Sequence, residues 1–186
     1  DKLKMTNLTN NGAIKLSGTY TVADGDTGLN VGGVISSVNV SNNHTNLLNS
    51  ETGDITINVT TTKTRIRVGG IAAKIQDSTT GLTNKGDITI SGSIAGVSYV
   101  SGLIATTNGY NRTNLLNEGN VTISASGTTL YLGGLFTYGA WEYGMNNIAN
   151  KGKLEVTKDA VFTKAVYMGG IIALRSNGKS GSGQPM

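Results

Sequence analysis

Cysteine is absent from this chain of 186 residues, proline occurs once, aromatic residues make up 5% and charged residues 14%. Each shortage excludes something. Without thiols there is neither a disulfide framework nor a thiolate zinc site, and this composition is compatible with export. No apolar run approaches the roughly 18 residues of a membrane-spanning helix, and no signal peptide opens the sequence. The first residue is Asp1, not Met, so the chain is expected to be a mature, trimmed or excised piece. A formal charge of +4 and a pI near 9.3 arise from scattered basic residues, with Lys63-Thr-Arg65-Ile-Arg67 the densest run. A nucleic-acid partner is therefore not expected. Helical periodicity is missing as well, which excludes a helical repeat of the ankyrin or tetratricopeptide kind despite a matching period.

What is present is glycine, 27 residues of it, among many Asn, Thr and Ser, the composition of short strands joined by tight polar turns. These residues recur in order. The stretch from Leu115 to Leu135, LLNEGNVTISASGTTLYLGGL, holds an apolar residue, Asn-x-Gly, an alternating run, a variable turn and a Gly-Gly element, and the same order appears five times. The glycine of Asn-x-Gly falls at Gly12, Gly53, Gly86, Gly119 and Gly152, spaced by 41 residues once and by 33 three times. The second element reads Val31-Gly-Gly-Val34, Val68-Gly-Gly-Ile71, Val100-Ser-Gly-Leu103, Leu132-Gly-Gly-Leu135 and Met168-Gly-Gly-Ile171. A fixed period in this range is the signature of a solenoid.

The run after each Asn-x-Gly alternates apolar and polar: Ile14/Leu16, Ile55/Ile57, Ile88/Ile90, Val121/Ile123 and Leu154/Val156. Period two with β-branched residues predicts half-buried strands, with Lys15, Thr56, Thr89, Thr122 and Glu155 facing outward. Leu8, Leu48, Leu82, Leu116 and Ile148 are expected to point inward ahead of each Asn. The Gly pairs predict a corner or bulge, through positive φ or a close backbone approach. The expected fold is all-β, a parallel β-helix of about five coils with a repeat of about 33 residues. Residues 1–175 then form one solenoid domain and 176–186 a flexible Gly/Ser-rich tail. Stacked coils would place Asn10, Asn49, Asn84, Asn117 and Asn150 in one column, hydrogen-bonded as an amide ladder at a turn. Insertions fall at Ala23 to Asn30, Ser36 to Asn46 and within Asn49-Ser-Glu-Thr-Gly53, and such loops are the usual place for binding.

The Gly-Gly-[Leu/Ile/Val] element followed by Asn-x-Gly-x-[Ile/Leu/Val]-x-[Val/Ile] resembles the GLUG-type repeats of large bacterial surface proteins. Gly134-Leu135-Phe136 leading to Asn146-Asn-Ile148-Ala-Asn150-Lys-Gly152-Lys-Leu154-Glu-Val156 matches best, and the resemblance covers residues of about 8 to 173. It implies a right-handed parallel β-helix in a secreted or cell-surface, adhesin-like bacterial protein.

Three groups of residues are candidates for function. Asn30, Arg67, Tyr99, Tyr131 and Tyr167 precede the glycine pairs and would form an outward column, able to stack on sugar rings or serve as a protein contact. The same tyrosines would equally serve a sheet as stacked β-formers. The run Phe136 to Met145, with Tyr138, Trp141, Glu142 and Tyr143, reads as an aromatic loop, either a sugar platform or a cover over the last coils. Asp54 and Asp87, with Ala13, Asn120 and Lys153 in the same column, would be a thin Ca²⁺ seat or ordinary turn residues. The sole histidine, His44, lies in the polar stretch Asn42-Asn-His-Thr45 and is expected in a loop without a catalytic partner. The threonines Thr56, Thr89 and Thr122 invite comparison with ice-binding β-helices, but one short column is thin. The sequons Asn43-His-Thr45 and Asn111-Arg-Thr113 are what an Asn- and Thr-rich chain produces by chance.

No serine-hydrolase elbow, zinc-protease helix motif or phosphate loop is present, and no cofactor is required. The expected role is a non-catalytic repeat segment that presents loops or one face to a glycan or protein. A polysaccharide-acting enzyme of lyase type and a purely structural spacer are the alternatives. Further repeats, a cap or an assembly partner are expected to cover Thr6 to Leu16 or Met168 to Leu174, because open strand edges invite pairing.

Overall fold

The computed structural model describes residues 4–21, 28–38, 43–62, 64–108, 111–140 and 144–175. Among them there is no helix, and every paired strand runs parallel to its neighbour in a β-solenoid. Three faces alternate along the chain. The first stacks Thr6–Asn10, His44–Asn49, Thr79–Asn84, Arg112–Asn117 and Met145–Asn150. The third stacks Ile35–Val38, Ala72–Ile75, Ile104–Asn108, Phe136–Ala140 and Ile172–Arg175. Between them lies a wider second face of nine strands. Its centre is Ile88–Ser101, flanked in its first half by Ile55–Thr61 and Val121–Ile123 and in its second by Ile66–Gly69 and Ser126–Gly133. Five rungs therefore stand on each outer face, separated by four inter-coil steps.

Equivalent residues lie directly over one another. Ile57, Ile90 and Ile123 pair in register, and all three are 1% exposed or less. Lys15, Thr56 and Thr89 face outward and are exposed, with Thr122 and Glu155 half-buried beside them. Burying each Ile, Leu or Val of these columns stabilises by about 1.5–3 kcal/mol, which a single coil could not collect without its neighbours.

The interior is two cores, not one. The second face folds over a cluster of Ile55, Ile57, Ile66, Val68, Ile88, Ile90, Val100 and their equivalents in the next coil. The first and third faces enclose another, with Leu47, Ile71, Ile75, Leu82, Leu103, Leu115 and Phe136. The chain passes from one core to the other at Asn-x-Gly and returns at Gly-Gly, and these two crossings touch. A Cβ added at Gly70 would lie 2.4 Å from Asn84 Cγ, and one at Gly102 would lie 2.3 Å from Asn117 Cγ. Close approach is thus the reason for the glycine element, because Gly33, Gly70, Gly102 and Gly134 let the backbone rest against the amide column, while Gly170 on the last coil has nothing beside it. Positive φ is not the reason, since the described glycines with that geometry are Gly18, Gly81 and Gly92.

The amide ladder forms as a continuous chain. Asn10, Asn49, Asn84 and Asn117 each donate from Nδ2 to the Oδ1 of the next Asn, every bond at 2.8 Å. The other Nδ2 proton goes to a glycine carbonyl of the same coil, Gly12, Gly53, Gly86, Gly119 or Gly152. Asn49, Asn84 and Asn117 are fully buried. The ladder is therefore an interior wall and not a surface feature of the turn.

That placement corrects one expected column. With the Asn pointing inward, period two places the residue two positions earlier inward as well. The register aligns Leu8, Leu47, Leu82, Leu115 and Ile148. Leu47 and Leu115 are 1% exposed, whereas Leu48 and Leu116, expected to face in, lie half-buried in the outward column. The stretch Phe136–Ala140 is a strand of the third face and not a loop, with Phe136 fully buried in the core. Leu29, Asn30 and residues 36–38 and 44–46 likewise belong to strands and not to the first-copy insertions.

Replacing Asn84 with Ala orphans the Asn49 amide, the Asn117 carbonyl and the Gly86 carbonyl together. We expect a loss of about 3 kcal/mol in urea unfolding. Thr89→Ala on the outer surface should stay within about 0.5 kcal/mol.

Candidate functional site

The column that precedes the glycine pairs exists as a line in space. Asn30 pairs with Arg67, Arg67 with Tyr99, Tyr99 with Tyr131 and Tyr131 with Tyr167. The alternation that buries Val68, Val100 and Leu132 turns these neighbours to the opposite side of the sheet. The rings stack nearly parallel, 5.0 Å apart for Tyr99 and Tyr131 and 4.8 Å for Tyr131 and Tyr167. Arg67 extends the row, its guanidinium carbon 5.9 Å from the Tyr99 centroid and its Nη1 donating to Asn30 Oδ1 at 3.3 Å.

Burial is uneven along the row. Arg67 is 8% exposed and Tyr131 9%, while Tyr167 on the last coil is 41% exposed. The inner rings direct both faces at one another, so along most of the row an arriving ligand would meet ring edges. Burial raises the Tyr131 pKa above its ordinary value, with smaller contributions from Tyr99, Tyr167 and Tyr138. Tyr138, in the strand Phe136–Ala140 of the third face, is half-buried. Trp141 and Tyr143, the remaining aromatics of the expected platform, lie outside the described residues.

The acid column is real but already engaged. Asp54 Oδ1 accepts the Asp87 N–H at 2.9 Å, and Asp87 Oδ1 accepts the Asn120 N–H at 2.7 Å and its Nδ2 at 3.1 Å. Asn120 Oδ1 in turn accepts the Lys153 N–H at 2.9 Å. Each side-chain oxygen thereby caps the backbone of the coil above, a structural ladder on the exposed corner. Among the described residues no group of three or more His, Cys, Asp or Glu is placed to hold a metal ion.

His44 corrects its expected place. It opens the strand His44–Asn49 and is fully buried, not part of a polar loop. Its Nδ1 accepts the Met5 N–H at 3.2 Å, which assigns the ring proton to Nε2, and Nε2 donates to Asp77 Oδ2 at 3.3 Å. Asp77 is 1% exposed. The pair resembles part of a catalytic relay only in composition. Sealed inside the stack, it fastens the start of the second coil to the turn entering the third, while the Met5 bond ties it to the first.

Two polar columns went unread in the sequence. Asn7, Asn46, Asn114 and Asn147 have φ between 50° and 57°, and Gly81 at 71° fills the same position in the third coil. Asn and Gly tolerate this left-handed geometry best, and the kink it makes turns two successive residues outward. The side chains form an outer ladder, Asn46 Nδ2 donating to Asn7 Oδ1 at 3.0 Å and Asn147 Nδ2 to Asn114 Oδ1 at 2.7 Å. Gly81 interrupts it and leaves an open depression lined by Asn7, Thr9, Asn46, Leu48, Thr83 and Lys85. The signal was the Thr-Asn-Leu-x-Asn pattern at 6–10, 45–49 and 113–117, in which the first Asn recurs as regularly as the second. The other is a corner column of alternating charge, Lys85 lying 3.4 Å from Glu51 and 4.0 Å from Glu118, and Lys151 3.3 Å from Glu118.

If Asp87 serves the backbone above it, Asp87→Asn should leave stability within about 0.5 kcal/mol, since an amide oxygen still accepts, while Asp87→Ala should cost about 1 kcal/mol. Added Ca²⁺ should not shift the melting temperature of either variant or of the parent. The raised Tyr131 pKa favours the neutral ring in the folded chain. Its contribution is full below the unfolded value of about 10 and is lost as pH climbs through the higher folded value. Alkaline unfolding of Tyr131→Phe should therefore begin at higher pH than in the parent, as followed by circular dichroism. Compared with known proteins, the chain matches no family model, no curated protein and no solved structure.

Proposed function

We propose that the chain is a non-catalytic, GLUG-like repeat segment of a secreted or cell-surface bacterial protein, adhesin-like in role, which presents its tyrosine row and loops to a glycan or protein. One observation carries this reading. Among the described residues, the acids and the histidine singled out as candidates are engaged between coils: Asp54 and Asp87 cap backbone N–H groups, and His44 and Asp77 are sealed in the interior. What an ordered array offers to solvent is the row's outer edge, the half-buried Tyr99 and the exposed Tyr167 on either side of a nearly buried Tyr131, with half-buried Tyr138 on the next face. Rings held this way lose little conformational entropy on binding, the property that makes Tyr frequent at contact surfaces.

A pure spacer is supported by a separate fact. The rings of Tyr99 and Tyr131 use their faces on each other, so the stack has a structural role with or without a ligand.

A glycan array and a pull-down from host extracellular protein, each with the parent chain, separate these readings. Tyr167→Ala and Tyr138→Ala should each weaken binding by about tenfold or more, as loss of a contact hot spot does. Thr89→Ala should not. Absence of any binding by the parent favours the spacer. Calcium-dependent cleavage of a polysaccharide, abolished by Asp87→Ala, would replace the proposal with the lyase reading.

A further inference from the structure

The described large apolar side chains left exposed are Leu8, Val161, Val166, Tyr167 and Met168. All five belong to the first or last coil. Most are exposed because no described coil lies beyond them: Met168 is 50% exposed and Val166 47%, whereas their partners one coil earlier, Leu132 and Leu130, are fully buried. Leu8 is 40% exposed and its partner Leu47 1%. Each end is thus one half of the coil-to-coil interface that the chain already makes four times.

The two halves fit each other. Over the last rung a first rung would set Leu8 on Ile148, Ile14 and Leu16 on Leu154 and Val156, and Val31 on Met168, apolar on apolar throughout. The ladder would continue, because Asn150 stands where Asn49, Asn84 and Asn117 each donate a second Nδ2 proton upward, and Asn10 Oδ1, which accepts the Gly12 N–H, has a second lone pair for it. The outer ladder fits too. Asn147 donates downward to Asn114 and keeps its Oδ1 for a donor above, the role Asn7 would fill. Charge agrees with this register. Lys15 and Glu155 occupy the same outward column at opposite ends of the stack, with Thr56, Thr89 and Thr122 between them, so stacking brings Lys15 to a carboxylate that Lys153 already pairs at 3.0 Å.

We infer that a second copy of this chain docks head-to-tail, its first coil seated on the last coil of the one before. A heterologous contact of this kind does not close on itself when the repeat is a straight stack, and it propagates as a filament. Docking would set Asn30 of the next copy over Tyr167, so the two readings share that ring, but the inference rests on the coil register and not on what the tyrosine row binds.

Sedimentation velocity of the whole chain from micromolar to millimolar concentration should show concentration-dependent growth. Met168→Glu would bury an unpaired charge at one end, and Leu8→Glu at the other. Each variant alone should remain monomeric, with association weakened by more than about a hundredfold. Both positions are half-exposed in the single chain, so folding should survive, as circular dichroism would verify. Mixing the two variants is the decisive arm, because each retains the end that the other has lost, and a one-to-one dimer should form. Lys15→Glu and Glu155→Lys should each weaken association roughly two- to fivefold, and the double swap should restore it. A parent chain that stays monomeric throughout, or a mixture that does not dimerise, overturns the proposal. Growth unaffected by either end variant overturns it equally, since association would then use another surface.

Discussion

A buried amide is costly unless both its protons and its oxygen are bonded, and this fold is arranged so that a column of them satisfies that condition. Asn49, Asn84 and Asn117 each donate twice and accept once without reaching water. The demand fixes the height of one coil over the next, because the chain of bonds closes only when the amides sit one strand spacing apart. It also fixes the glycines. The amide column is the wall between the two apolar cores, and the backbone that returns through it has no room for a Cβ at Gly70, Gly102 or Gly134. Asn-x-Gly and Gly-Gly, distant in sequence, are two halves of one packing contact.

From that wall the remaining order follows. Coils held in register make any outward position a column, and the surface becomes a set of ladders that differ in chemistry. Tyrosines stack, carboxylates cap the backbone above, asparagines bond along an outer row, and lysines alternate with glutamates at the corner. These ladders tolerate interruption where the inner one does not. Arg67 and Asn30 continue the tyrosine row with a cation–π contact and a hydrogen bond, and Gly81 simply vacates its place. Surface ion pairs and exposed hydrogen bonds contribute little each, so losing one costs little. Variation is therefore concentrated outside, where a ligand would be met.

The same repetition leaves the ends incomplete. An inner coil buries its apolar residues against two neighbours, and a terminal coil has only one, which is why half-exposed apolar side chains gather at Leu8 and from Val161 to Met168. Capped solenoids solve this with a polar or irregular last turn. Here the last described rung keeps the interior pattern of the others, and the column with Lys15 at one end and Glu155 at the other gives the stack a direction.

Period, strand alternation and the Asn column were legible in the sequence, because stacked coils repeat their demands on each residue and the pattern survives in one dimension. The tyrosine row could be read for the same reason. Whether the Asn faced in or out was not legible, since an amide suits a solvated turn as well as a bonded interior. That single ambiguity misplaced Leu48 and Leu116. The depth of His44 was hidden by its polar neighbours, as its partners Met5 and Asp77 come from other coils. The engagement of Asp54 and Asp87 was equally beyond the sequence, which shows that two acids share a column but not that each already holds the backbone above it. Spacing along the chain determined what stacks on what. Only the closed cross-section, where distant turns press together, decided which side chains are walled in and which remain free to meet a partner.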